Sequence, residues 1–241
     1  MGSRTNWQAG VALATVALAT LALLAGAGTT PASAGALAGD GAVPQTDVDA
    51  DTVSLRVALD ADGSAAWAVT YRVELADENE TAAFQEIQAD IEADPGPYLD
   101  RFEDRMGRTV RAAENATGRD MAVENVSVEA TRESLPQGEY GVVVYRLDWR
   151  GFAVAADDRL RAGDAIDQFF LDERTSLTVA WPEAYSLASH DPQATTVEAG
   201  SVTWQGRRDF GPGEPRVEVV RGTPDDGAAP GGGDGLSPVI V

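Results

Sequence analysis

At 241 residues the chain is long enough for one large domain or two small ones, and with no cysteine it excludes disulfides, thiolate chemistry and cysteine-ligated zinc or iron–sulfur sites. Its 39 Asp and Glu stand against 18 basic residues, all of them Arg, for a formal net charge of -21. That balance excludes a nucleic-acid binder, which needs clustered cations, and disfavours peripheral binding to anionic lipid. So large a charge makes the compact state repel itself unless salt screens it, so the composition points to a protein that works in concentrated salt.

The N-terminus reads as a signal peptide over residues 1–34. Arg4 supplies the positive start, Val11 to Gly28 is uncharged and apolar, and Ala32-Ser33-Ala34 fits small-x-small cleavage after Ala34. No Arg-Arg pair marks a twin-arginine signal. Cleavage removes Arg4 and no acid, so the mature charge becomes 17 − 39 = -22. Residues 35–50 form a leader rich in Gly, Ala, Pro and Asp, without periodicity.

The exported domain spans 51–221. Val53, Leu55, Val57 and Leu59 alternate with polar or small residues, and so do Trp67, Val69, Tyr71, Val73 and Leu75. With Asp60-Ala61-Asp62-Gly63 between them, they predict a β-hairpin over 52–75. The period then changes. Phe84, Ile87 and Ile91 fall on one helix face, Asp94-Pro95-Gly96-Pro97 breaks that helix and primes a second, and Leu99, Phe102, Met106 and Val110 make its stripe before Gly118 stops it. Glu86, Asp90, Glu92, Asp104 and Arg105 are expected on the solvated faces.

Strands then return. Met121 and Val123 change parity with Val126 and Val128 across Glu124-Asn125, which predicts a bulge. Residues 140–149 are apolar on both faces, as in a strand inside a sheet. Leu177, Val179 and Trp181 form a strand ended by Pro182, and Val202 with Trp204 and Val217 with Val219 form two more. Turns are expected at Pro136-Gln-Gly, Arg161-Ala-Gly-Asp164, His190-Asp-Pro192 and Gly211-Pro-Gly213. The fold class is α+β: an antiparallel sheet or sandwich with a two-helix insertion packed on one side. Residues 222–241 read as a Gly/Pro/Asp linker and the possible first turn of a transmembrane helix, because Leu236 to Val241 is apolar but far shorter than the about twenty residues a span needs.

Three sequons, at Asn79, Asn115 and Asn125, are glycosylation candidates. Catalytic chemistry is hard to place. His190 is the only histidine; it sits in a Ser189-His-Asp-Pro stretch read as a turn, and no G-x-S-x-G elbow accompanies it. One histidine without cysteine leaves no set for zinc or redox metals. Asp47-Val-Asp-Ala-Asp51 opens like a calcium loop but has Thr52 where Gly is needed and Ala58 where Glu is needed. Asp157-Asp158 and Asp225-Asp226 read as solvated loops. Without Lys there is no P-loop, and no dinucleotide fingerprint follows a strand. Carboxylates are abundant, but no pair stands out for glycoside hydrolysis. Tyr145, Trp149 and Phe152 read as core rather than as a ligand surface. No catalytic, metal or cofactor residue is therefore assigned.

Asp148-Trp149-Arg150-Gly151-Phe152, Arg161-Ala-Gly-Asp164, Leu177-Thr-Val-Ala-Trp-Pro182, Tyr185 through Asp191-Pro192, and Val202-Thr-Trp-Gln-Gly206 occur in order. Over roughly residues 50–221 this resembles an exported domain of uncharacterised function from halophilic archaeal membrane proteins. The resemblance implies a signal peptide before the domain. It also implies a linker and often a transmembrane helix after it, sometimes with a cytoplasmic winged helix. It carries over no catalytic residue. The expected function is a non-catalytic, exported cell-surface module that senses or binds an extracellular ligand or envelope component. A secreted structural component of the envelope ranks second and a secreted carboxylate-dependent hydrolase a distant third. No nucleic-acid partner is expected, and membrane attachment would run through a C-terminal helix that this chain lacks.

Overall fold

The computed structural model describes residues 50–222. The expected signal peptide, its cleavage at Ala34, the leader up to residue 49, most of the calcium-like run and the linker after Gly222 lie outside the described residues.

The hairpin is formed by β1 (Thr52–Leu59) and β2 (Ala65–Glu74), paired antiparallel from Thr52↔Arg72 to Leu59↔Ala65. Its turn closes as the Asp-Gly step predicts: Asp60 N donates to Ser64 O, Gly63 N donates to Asp60 O, and the Asp62 carboxylate takes the Ser64 backbone and hydroxyl at 2.9 and 2.6 Å.

Helix α1 (Glu78–Ala93) starts at Asp77, whose side chain accepts from Asn79 N and Glu80 N, while Glu80 reaches back to Ala76 N at 2.7 Å. Helix α2 (Gly96–Thr117) carries Pro97 in its first turn and ends at Gly118 with φ 69°, whose N–H bonds Glu114 O. Phe84 and Ile91 on α1 and Phe102, Met106, Val110 and Ala113 on α2 are buried. Arg105 corrects the expectation for the outer face. It is half-buried, and its Nε is shut off from solvent, because it projects one turn after Phe102 on the sheet-facing side.

Strands β3 (Ala122–Leu135) and β4 (Gly138–Arg150) follow, joined at the expected Pro136-Gln137 turn. The predicted bulge lies between Glu124 and Ser127, with Asn125 at φ 55°. It resets parity, so that Val123 faces Trp149 and Val128 faces Tyr145 on the same side of the sheet. Then come β5 (Val154–Ala156), β6 (Arg159–Ala162), a 3-10 turn (Asp164–Ile166), β7 (Phe170–Leu171), β8 (Thr175–Ala180), β9 (Tyr185–Asp191), β10 (Thr196–Glu198), β11 (Ser201–Gln205), β12 (Arg208–Asp209) and β13 (Arg216–Arg221). The strand expected to include Trp181 ends one residue before it, and the Arg161-Ala162 pair belongs to β6, so the turn there begins at Gly163.

Seven strands form the main sheet in the order β10-β11-β8-β1-β2-β4-β3; β5-β6-β13-β9 form a second sheet and β12-β7 a small third. The class is α+β. Every pairing is antiparallel except one, β1 with β8, where Val53↔Thr175 to Ala58↔Ala180 run parallel. One face of the main sheet is buried. Leu55, Val57, Val69, Tyr71, Tyr145, Trp149, Leu177 and Trp204 lie there in one cluster with α1, α2 and Leu160, Val217 and Val219 of the second sheet. Tyr145, Trp149 and Phe152 are core, as expected: Phe102 stacks on Tyr145 at 4.4 Å, and Trp67, Trp149 and Phe152 pack within 5.3–5.5 Å of one another. Among the described residues no helix is long and apolar enough to cross a membrane.

Candidate functional site

Because side chains alternate along a strand, burying one face of the main sheet turns the intervening residues of every strand to the other side. The registers align them into rows. One row runs Thr203, Thr178, Arg56, Ala68, Arg146 and Ser127 from β11 to β3. The next runs Gln205, Ser176, Ser54, Thr70, Val144 and Glu129, and the third runs Ser201, Ala180, Ala58, Ala66, Asp148 and Glu124. Ser54 and Arg56 are exposed, and Ala68, Thr70, Thr178 and Thr203 are half-buried. Among the described residues no layer covers them.

The charge pattern of this face is unlike that of the chain. In these three rows, β11, β8, β1 and β2 contribute no Asp or Glu, although the sequence holds 39. Acids return at the two edges: Glu198 of β10 stands opposite Ser201, and on β4 and β3 the acids are engaged. Arg146 meets Glu129 at 3.2 Å, Arg150 meets Glu124 at 2.9 Å, and Arg72, at the end of β2, meets Glu133 at 2.8 Å. Hydroxyls couple neighbouring strands, with Thr178 and Thr203 at 2.9 Å. Arg56, at the centre of the acid-free part, has no ion-pair partner among the described residues. Its guanidinium presents five donors in a planar fork suited to a carboxylate or sulfate. The sequence places Arg56 outward by strand alternation alone. Ala68 and Thr70 flank it from the hairpin partner, but Thr178 and Ser176 come from a strand more than a hundred residues away.

The other candidates sit elsewhere. His190 corrects its turn assignment: it lies on β9 opposite Val217, with Nδ1 3.1 Å from Pro192 O and its ring edge-on to Trp204. A carbonyl only accepts, so Nδ1 carries the proton. Trp204 Nε1 donates to the same oxygen at 3.0 Å, and Asp191 lies 3.7 Å from Arg216. The histidine and its neighbour are thus occupied in holding the loop after β9. Asp157 and Asp158 are exposed between β5 and β6. Among the described residues no group of three or more His, Asp or Glu converges on a metal position.

The three sequon asparagines are all exposed. Asn79 is in the first turn of α1, Asn115 is near the end of α2, and Asn125 is on the β3 bulge, where its Nδ2 donates to Asp148 Oδ2 at 2.7 Å. Asn125 also borders a groove of about 380 Å³ between α2 and β3, lined by Glu103, Val110, Arg111 and Val123.

Sequence reasoning passed over Arg119. Leaving α2, it donates to Gly151 O at 3.0 Å, to Phe152 O at 2.9 Å and to both oxygens of Asp164. The Gly151-Phe152 and Gly163-Asp164 motifs therefore meet at one guanidinium.

No curated protein matches the chain. A solved structure described as a "putative protease" from Parabacteroides distasonis ATCC 8503 aligns at 13% identity over 70% of this chain and 39% of that one, with a TM-score of 0.22. So low a score carries no argument. The chain spans about two-fifths of that protein's length. The family model for a domain of unknown function (DUF7345) matches residues 56–185, from Arg56 on β1 through β8 to the start of β9. That is more than half of the chain, which therefore belongs to this family.

Proposed function

We propose that the chain is a non-catalytic binding module of the cell exterior and that it docks an acidic polysaccharide on the outward face of its main sheet. The observation that carries this reading is the absence of Asp and Glu from the outward rows of four adjacent strands around Arg56, which has no ion-pair partner among the described residues, in so acidic a chain. A face meant only for solvation in salt has every reason to carry carboxylates, as the helices do. Rows of Ser and Thr hydroxyls offer donors and acceptors to sugar hydroxyls, and Arg56 offers a bidentate site for a carboxylate or sulfate. A second copy of the chain fits less well, since two-fold pairing through this face would bring Arg56 near its own equivalent. Export is supported by the signal-like residues 1–34 and by the exposure of Asn79, Asn115 and Asn125. As part of a longer chain with a membrane helix and winged helix, as the resemblance implies, such a module would report binding inward.

The test is retention of the purified chain on immobilised acidic envelope polysaccharide in molar salt. Arg56→Glu should weaken retention about tenfold or more, as loss of a charge-assisted contact would, and Thr178→Val should weaken it less. Arg56 is exposed, so its replacement should leave folding intact. Equal retention of wild type and Arg56→Glu removes this face from the reading. Protein found only in the cytoplasmic fraction of a producing cell removes export.

A further inference from the structure

Arg56 does not stand alone on the outward face. In its own row Arg146 lies two strands away, with Ala68 between them. Both arginines are exposed and Ala68 is half-buried. Because β1, β2 and β4 pair in direct register, the two arginine Cα atoms sit roughly 10 Å apart, two steps of the ordinary strand spacing of about 4.8 Å. The single methyl group of Ala68 does not obstruct a ligand that touches both.

The direction of approach follows from the neighbours. Along β1 the outward residues on either side of Arg56 are Ser54 and Ala58, and along β4 those beside Arg146 are Val144 and Asp148. No second cation lies along either strand, so one extended ligand meets two guanidiniums by crossing the strands. A sugar ring in an extended polysaccharide is about as long as one strand-to-strand step, so a chain laid across the sheet sets one ring over each strand. A charge on every second ring then falls on Arg56 and Arg146, and the uncharged ring between falls on Ala68. Arg146 already accepts a carboxylate, that of Glu129 at 3.2 Å, but the two side chains are 53% and 59% exposed. So exposed a pair is weak, and a carboxylate or sulfate of the ligand takes the place of Glu129 at little cost.

We infer that Arg56 and Arg146 act as a matched pair that selects an acidic polysaccharide charged on every second sugar and laid across the strands. Arg146 sets the spacing that the ligand must match. The pairing rests on the outward face being the docking surface.

Binding of the full chain to two probes in molar salt tests it: a hyaluronan octasaccharide, with a carboxylate on every second sugar, and a gellan octasaccharide, with one on every fourth. Hyaluronan should bind about tenfold or more tighter, because it alone engages both arginines at once. Arg146→Gln should bring hyaluronan down to the level of gellan and leave gellan within about twofold of its wild-type affinity, since Arg56 still serves a lone carboxylate. Glu129→Gln should tighten hyaluronan binding by removing the competing carboxylate, a gain that a merely structural Arg146–Glu129 contact does not give. Both replaced side chains are exposed, and unchanged circular dichroism checks that the variants fold. Equal affinity of the wild type for the two probes, or a preference that survives Arg146→Gln, overturns the pairing and leaves the docking face standing. A wild type that binds neither probe overturns both.

Discussion

Arg119 grips Asp164 with two parallel N–H donors, at 2.5 and 2.8 Å, across 45 residues of sequence. Its other contacts are the carbonyls of Gly151 and Phe152, so one side chain joins the end of α2, the corner after β4 and the 3-10 turn. Arg119→Ala orphans the carbonyls of half-buried Gly151 and buried Phe152 and should cost about 2–3 kcal/mol, read as a shift in denaturation midpoint. Arg119→Lys keeps the charge but not the fork and should recover less than half of that loss. Asp164→Asn should cost under about 1 kcal/mol, since the carboxylate is 43% exposed and water can replace the ion pair.

Gly141 lies where α1 presses on β4. A Cβ added there would run into the ring of Phe84. Gly141→Ala should therefore destabilise by about 1–3 kcal/mol, as overpacking does. Combining it with Phe84→Leu should cost less than the sum of the two single changes, because the smaller side chain makes room. Additive losses in thermal melts would show that the helix shifts away instead.

Asp62 titrates below its ordinary value of 3.8 because the Ser64 hydroxyl and then the Ser64 backbone N–H bond its ionised form. A carboxyl depressed by folding adds stability that is present above the unfolded pKa and disappears as pH falls through the folded one. Ser64→Ala should bring Asp62 back toward 3.8 in an NMR titration, and the small loss of stability should be seen at neutral pH and vanish as pH falls below the folded pKa, where the wild type has lost the contribution as well.

With 39 acids and 18 arginines, most pairs that form are exposed and weak. Repulsion among the surplus carboxylates should dominate at low ionic strength. The melting temperature should climb steeply between about 0.1 M salt and the molar range, where the screening length falls to about 3 Å. A flat profile by circular dichroism would contradict the expectation of a high-salt habitat.

What the sequence discloses and what it withholds divide along one line. The β1–β2 hairpin, both helices with their Pro and Gly boundaries, and the bulge at Asn125 were legible because each rests on spacing within a dozen residues. The parallel seat of β8 beside β1 was not, because turn and strand signals do not say which distant strand lies next to which. The outward rows share that blindness: the hairpin sets Ala68 beside Arg56, but nothing local sets Thr178 on its other side. Arg105 misled for a different reason. A charged residue on an amphipathic helix is normally solvated, and only the folded chain closes its Nε to solvent. Asp191-Pro192 announces a turn at His190, yet strand pairing with β13 continues through it.

The parallel partnership of β1 and β8 also sets an order of events during synthesis. β1 finds β2 as soon as the hairpin emerges, but its other edge waits for Thr175–Ala180, with Ser54 and Ser176 separated by 122 residues. Until then the nascent chain displays an open strand edge whose inward residues are Val53, Leu55, Val57 and Leu59, a template for pairing with any neighbouring chain. Closing so long a loop is slow. The growing chain therefore passes through a vulnerable interval that ends only when Ala180 has been made, and the crossing strand acts as the seal on a sheet begun at its middle.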